Sequence, residues 1–231
     1  MRKFGPIATI AALALAAGLS APADAGILNC TVFVDNVQQG ACTQSATGLL
    51  TFSSSTIPNF SAVGLVATGD PLVASPSLSS VTLDVSSAPT FTGPHTLTLD
   101  VFQTGISAPI GTQVESTFTV NNLIGVPGPA TLSDFFNGTS STLGTLLRTS
   151  TFPVGTTNAT TGPFLDTAGQ VITADAHQFS ITFFAPGQSA NDTIQLIGTQ
   201  VPEPASLALL GSALVGFGLW RRRRSQPPAA A

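Results

Sequence analysis

Tyrosine is absent from this 231-residue chain, tryptophan and methionine occur once each, and cysteine occurs twice. The larger deficit is in basic charge. Residues 26–200 contain no lysine and one arginine, Arg148, against nine Asp or Glu, a formal charge of 1 − 9 = −8. One arginine cannot neutralise several phosphates, so this segment is not a nucleic-acid binder. Without lysine it performs no Schiff-base chemistry. Without tyrosine it has no tyrosine corner, which favours a generic sandwich over a true immunoglobulin domain. Catalytic signatures are missing as well: no Gly-x-Ser-x-Gly elbow, no His-Glu-x-x-His helix and no glycine-rich phosphate loop. The expectation is a non-enzymatic protein with no catalytic residue, no cofactor and no metal.

The remaining basic residues sit at the two ends, as Arg2 and Lys3 and as Arg221, Arg222, Arg223 and Arg224. Met1–Ala25 has the layout of a secretory signal peptide. Its positive start is followed by thirteen uncharged, mostly apolar residues from Ile7 to Leu19, and Ala23 and Ala25 are the small residues that a signal peptidase requires. Cleavage is expected after Ala25. At the other end, Val201, Pro202, Glu203 and Pro204 precede sixteen uncharged residues, 205–220, and then the four arginines. Sixteen helical residues reach ~24 Å against a hydrocarbon core of ~30 Å, and snorkelling arginines cover the difference. The arginines stay cytoplasmic by the positive-inside rule, Trp220 anchors the interface, and residues 26–200 face the opposite side of the membrane. Residues 225–231 are expected to form a disordered Pro/Ala extension.

This tail resembles the PEP-CTERM sorting signal over about Val201–Arg224: a Pro-Glu-Pro triplet, a Gly- and Leu-rich apolar stretch, then a basic cluster. The resemblance implies processing near the triplet by an exosortase, a membrane-embedded transpeptidase-like protease. It also implies a Gram-negative host that makes exopolysaccharide, an intermediate held in the inner membrane with its ectodomain in the periplasm, and delivery to the cell surface or biofilm matrix.

The middle segment, 26–200, holds 49 Ser or Thr and eleven Pro, with short apolar alternations bounded by Gly, Pro, Asn or Ser. The pattern predicts strands at 31–35, 49–52, 61–67, 80–85, 96–102, 114–120, 178–184 and 193–199. The run Val81–Val85 is echoed by Leu97–Val101, which reads as a hairpin with a long turn. About eight to ten strands in one unit predict an all-β fold, a single antiparallel β-sandwich of jelly-roll or immunoglobulin-like type. Such a unit is large enough to bury a core without metals. Leu132, Phe135 and Phe136 suggest a helical turn or two within 131–147. A Ser/Thr-rich stalk over 139–161 is the alternative there.

Cys30 and Cys42 enclose eleven residues just inside the mature N-terminus, and in an oxidising compartment they should form a disulfide. His95 and His177 have Asp100 and Asp175 nearby in sequence and read as exposed turn or strand-end histidines. A Ca²⁺ site could arise only from distant residues such as Asp84, Asp100 and Asp192, since no calcium-loop run is present. Three irregular Thr-x-Thr triplets, at 90–92, 96–98 and 117–119, are too few for a flat ice-binding array. The expected function is therefore that of an exported surface or matrix protein whose partners are signal peptidase, exosortase, transiently the inner membrane, and exopolysaccharide. The alternatives are a carbohydrate-binding module, disfavoured because this segment offers only Phe for stacking on sugars, and a secreted hydrolase.

Overall fold

A computed structural model describes residues 26–70, 77–106, 110–125, 128–167 and 172–200, together with 211–214 and 217. Twelve strands are formed: β1 (Ile27–Val34), β2 (Val37–Ala41), β3 (Leu49–Ser54), β4 (Phe60–Gly69), β5 (Ser77–Ser87), β6 (His95–Thr104), β7 (Ile110–Ile124), β8 (Ala130–Phe136), β9 (Thr145–Phe152), β10 (Thr157–Thr167), β11 (Ala174–Phe183) and β12 (Ser189–Gln200). They build two antiparallel six-stranded sheets. Sheet A has the order β2-β1-β6-β11-β8-β9 and sheet B the order β10-β7-β12-β5-β4-β3.

All eight strands expected from alternation are present, and four more join them. The β1–β2 hairpin turns through Asp35 and Asn36, with φ of 52° and 64°, the left-handed pair that a two-residue turn demands and that Asn and Asp tolerate. Residues 131–147 are not helical. They contain β8 and the start of β9, because Leu132 and Phe136 fall on the same face as the buried Ala130. The stalk alternative also fails, since 139–161 supplies all of β9 and the beginning of β10. Nor do Val81–Val85 and Leu97–Val101 pair as a hairpin. β5 pairs with β4 and β12 in sheet B, whereas β6 pairs with β1 and β11 in sheet A. The two runs are alike because each presents alternate apolar residues to the same core from opposite sides.

One large core draws on both sheets, including Leu28, Val32, Leu65, Leu83, Leu99, Phe118, Phe179 and Phe183. Burying each such side chain stabilises the fold by ~1.5–3 kcal/mol. The edge strands β9 and β10 belong to different sheets, and Arg148 spans them. Its guanidinium donates two bonds to Asp166 and lies 4.7 Å from the Phe164 ring centre. The one basic residue of this segment thus closes a side of the sandwich.

The signal peptide, with Ala23 and Ala25, lies outside the described residues. So do Val201, Pro202, Glu203, Pro204, Trp220 and the four arginines. Within the expected membrane helix, 211–214 and 217 are helical. Among the described residues no helix is long and apolar enough to cross a membrane.

Candidate functional site

The inward positions of β11 read Asp175, His177, Phe179, Ile181 and Phe183, and all five are buried. Strand alternation therefore sends an acid and a histidine into the interior along with three apolar residues. At the same level Asp134 on β8 is the register partner of His177, and Gln103 on β6 is that of Asp175. Sheet B answers with Ser79 on β5 and Ser116 on β7, both register partners of Leu196 on β12. None of these six polar residues is more than 2 % exposed. They form a layer between the main core and a smaller apolar cluster of Ile106, Val114, Phe136, Ile172 and Leu196. Along β7 the sequence Val114, Ser116, Phe118 crosses from one cluster through the layer to the other.

The layer is knit by short bonds. His177 Nδ1 donates to Asp134 Oδ1 at 2.5 Å, and its Nε2 lies 2.6 Å from Ser79 Oγ and 3.4 Å from Asp175 Oδ2. Ser79 Oγ donates to Asp175 Oδ2. Burial by itself would depress the imidazolium. The charge and hydrogen bond of Asp134, with those of Asp175, outweigh it and push the His177 pKa up to about 10. Burial also raises the Asp134 carboxyl, against the pull of His177. Both ring nitrogens of His177 accordingly carry protons at neutral pH, and Ser79 accepts from Nε2 while giving its own proton to Asp175. In a serine triad the hydroxyl donates to a neutral imidazole; here the polarity is reversed.

His177 is therefore not an exposed strand-end residue. It occupies an inward mid-sheet position where its two carboxylate partners compensate its burial. His95 is at the start of β6 and bonds Asp35 Oδ2 at 2.6 Å instead of Asp100. Slight burial pushes the Asp35 carboxyl up, but the hydrogen bonds from His95 and the Thr96 amide outweigh it and hold it below its usual range. Asp100 accepts from Gln178 Nε2 at 2.9 Å, and burial raises its pKa in spite of that bond. Asp192 stands alone between Leu83 and Val120, fully buried, with neither oxygen hydrogen-bonded, and burial pushes its pKa up to about 7. Asp84, Asp100 and Asp192 do not converge, since Asp84 is exposed, Asp100 bonds Gln178 and Asp192 lies in the core. Among the described residues no group of three His, Cys, Asp or Glu could hold a metal ion. Cys30 and Cys42 are joined as expected, bridging β1 to the end of β2 with their Cα atoms 5.0 Å apart.

The buried layer explains how the sandwich is held but not where the chain goes. That is decided at the other end, where residues 200–224 match the model of the PEP-CTERM protein-sorting motif. The chain carries a PEP-CTERM sorting motif. A PEP-CTERM motif marks an exported protein targeted to exosortase. No curated protein matches the chain. Among solved structures, the enzymatically active domain of the bacteriophage CBA120 tailspike protein 4 is similar over 60 % of this chain, at 16 % identity and a TM-score of 0.33. The chain covers 18 % of that protein's length.

Proposed function

We propose that this chain is a non-enzymatic surface or matrix protein. Signal peptidase removes 1–25, the PEP-CTERM tail holds the intermediate in the inner membrane, and an exosortase cuts near Pro202–Pro204 in an exopolysaccharide-producing Gram-negative host. The carrying observation is the sorting motif at 200–224. The sandwich agrees with it. It holds a disulfide, which persists in oxidising compartments, and the Ser79-His177-Asp175 grouping is shut away from solvent and so from any external substrate. Glu203→Ala, or removal of Arg221–Arg224, should leave the protein unprocessed or mis-sorted. Release of an unchanged mature form from either variant would refute the assignment.

A second reading, a carbohydrate-binding module for exopolysaccharide, has one observation in its favour. On sheet B a groove of about 390 Å³ is lined by Thr51, Phe52, Ser53, Val66, Thr82 and Asp84. It opens because Gly64, between Ser53 and Asp84 in register, contributes no side chain. A pull-down of the processed protein on host exopolysaccharide tests this, and binding that survives Asp84→Ala with Thr82→Ala would exclude the groove.

A further inference from the structure

Gln103 is 2 % exposed, yet neither its Oε1 nor its Nε2 has a hydrogen-bond partner. A buried carboxamide whose two donors and carbonyl oxygen are all unmet costs several kcal/mol in principle and calls for an explanation. In sheet A it stands between Leu28 of β1 and Asp175 of β11. Across the sandwich is Gly69 of β4, where any side-chain carbon would overlap the Gln103 Oε1 and Cδ. Gly69 is the register partner of Ser79, and Ser79 Oγ donates to Asp175 Oδ2. Register partners keep their side-chain roots within ~5 Å, so the hydroxyl and the carboxamide share Gly69 and Asp175 as neighbours.

We propose that Ser79 and Gln103 are joined by an intramolecular ester, formed once after folding with release of ammonia. Asp175 takes the Ser79 proton as Oγ attacks Gln103 Cδ. The Cδ–Nε2 bond of the tetrahedral carbon then breaks, the proton passes from Asp175 to the departing nitrogen, and ammonia leaves. One C–O bond replaces one C–N bond, Asp175 ends as the carboxylate it began, and no oxidant or co-reactant is needed. The His177 imidazolium, fixed by Asp134, lies 2.6 Å from Ser79 Oγ and lowers the cost of drawing the proton from that hydroxyl. Fixed proximity replaces a bimolecular encounter. The product removes the two orphaned N–H donors, and exclusion of water protects the ester from hydrolysis. The bond would tie β5 of sheet B to β6 of sheet A, a link that the disulfide, confined to the β1–β2 hairpin, does not provide.

The test is a peptide map of the full-length chain, denatured and cut before aspartates, which places Ser79 in peptide 70–83 and Gln103 in peptide 100–133. The expected result is one linked species of their summed mass less one ammonia, split by hydroxylamine to leave a hydroxamate at residue 103 and absent from Ser79→Ala. Two separate peptides of unmodified mass would overturn the proposal. Loss of one water in place of ammonia would overturn the choice of Gln103, since it would make a carboxyl group the partner. Should Ser79→Ala fail to fold, the wild-type map and the hydroxylamine reaction still decide the question. Neither outcome depends on the fate of the tail.

Discussion

Asp192→Asn is the substitution whose effect the structure specifies most sharply. The carboxyl lies in the core between Leu83 and Val120, with no hydrogen bond to either oxygen. Burial moves its pKa from 3.8 to about 7. Because the folded-state value is the higher one, the folded chain binds the proton more tightly than the unfolded chain. The stability linked to this proton is fully present below about pH 4 and is lost as pH rises to about 7. A gap of about three pH units, at ~1.36 kcal/mol each, makes that loss ~4 kcal/mol as an upper value. Asparagine keeps the shape and cannot ionise. Urea unfolding of both chains at about pH 4 and about pH 8 should therefore show similar stabilities in acid and a more stable variant in base, by ~2–4 kcal/mol. Other titrating groups are common to the two chains and cancel in the difference. A difference that does not change with pH would refute the reasoning.

His177→Gln should destabilise by ~3–5 kcal/mol, because it leaves Asp134 and Asp175 buried without their cation; chemical denaturation at neutral pH measures it. With a folded pKa near 10 against 6.5, the imidazolium's contribution is complete below about pH 6.5 and disappears as pH rises through 10, so the wild type should weaken across that window and the variant should lack that slope. Reduction of the disulfide, or Cys30→Ala with Cys42→Ala, should cost ~3 kcal/mol on the chain-entropy model, read as a lower Tm. Gly144→Ala should destabilise by at least ~1 kcal/mol, since Gly144 has φ of +82° and an added carbon would overlap the Phe136 carbonyl; urea titration checks it.

Much of the sandwich was legible in alternation, and the gaps have physical causes. β9 and β10 are edge strands with mostly exposed side chains, so they lack the apolar rhythm that marks a buried face. β8 was obscured because an acid, Asp134, takes an inward position between Leu132 and Phe136. The buried layer was missed on the same ground, that Asp, His, Ser and Gln are ordinarily solvated. The available signal was phase. Gln103 continues the run Leu97, Leu99, Val101; Ser79 begins the run Val81, Leu83, Val85; and Asp175 and His177 keep step with Phe179, Ile181 and Phe183. A polar residue in step with apolar neighbours belongs to the core face. Pairing between sheets was not legible, because β5 and β6 carry the same pattern and nothing local to either distinguishes a hairpin from a crossover.

The central claim, that this is an exosortase-processed surface protein, is tested most directly by intact-mass analysis of the mature chain from a host carrying an exosortase and from one lacking it. The account predicts a product lacking signal peptide in both hosts and, only where the enzyme is present, lacking everything after about Pro202–Pro204. Retention of residues 205–231 in both hosts would contradict it and would make the chain a permanently anchored membrane protein.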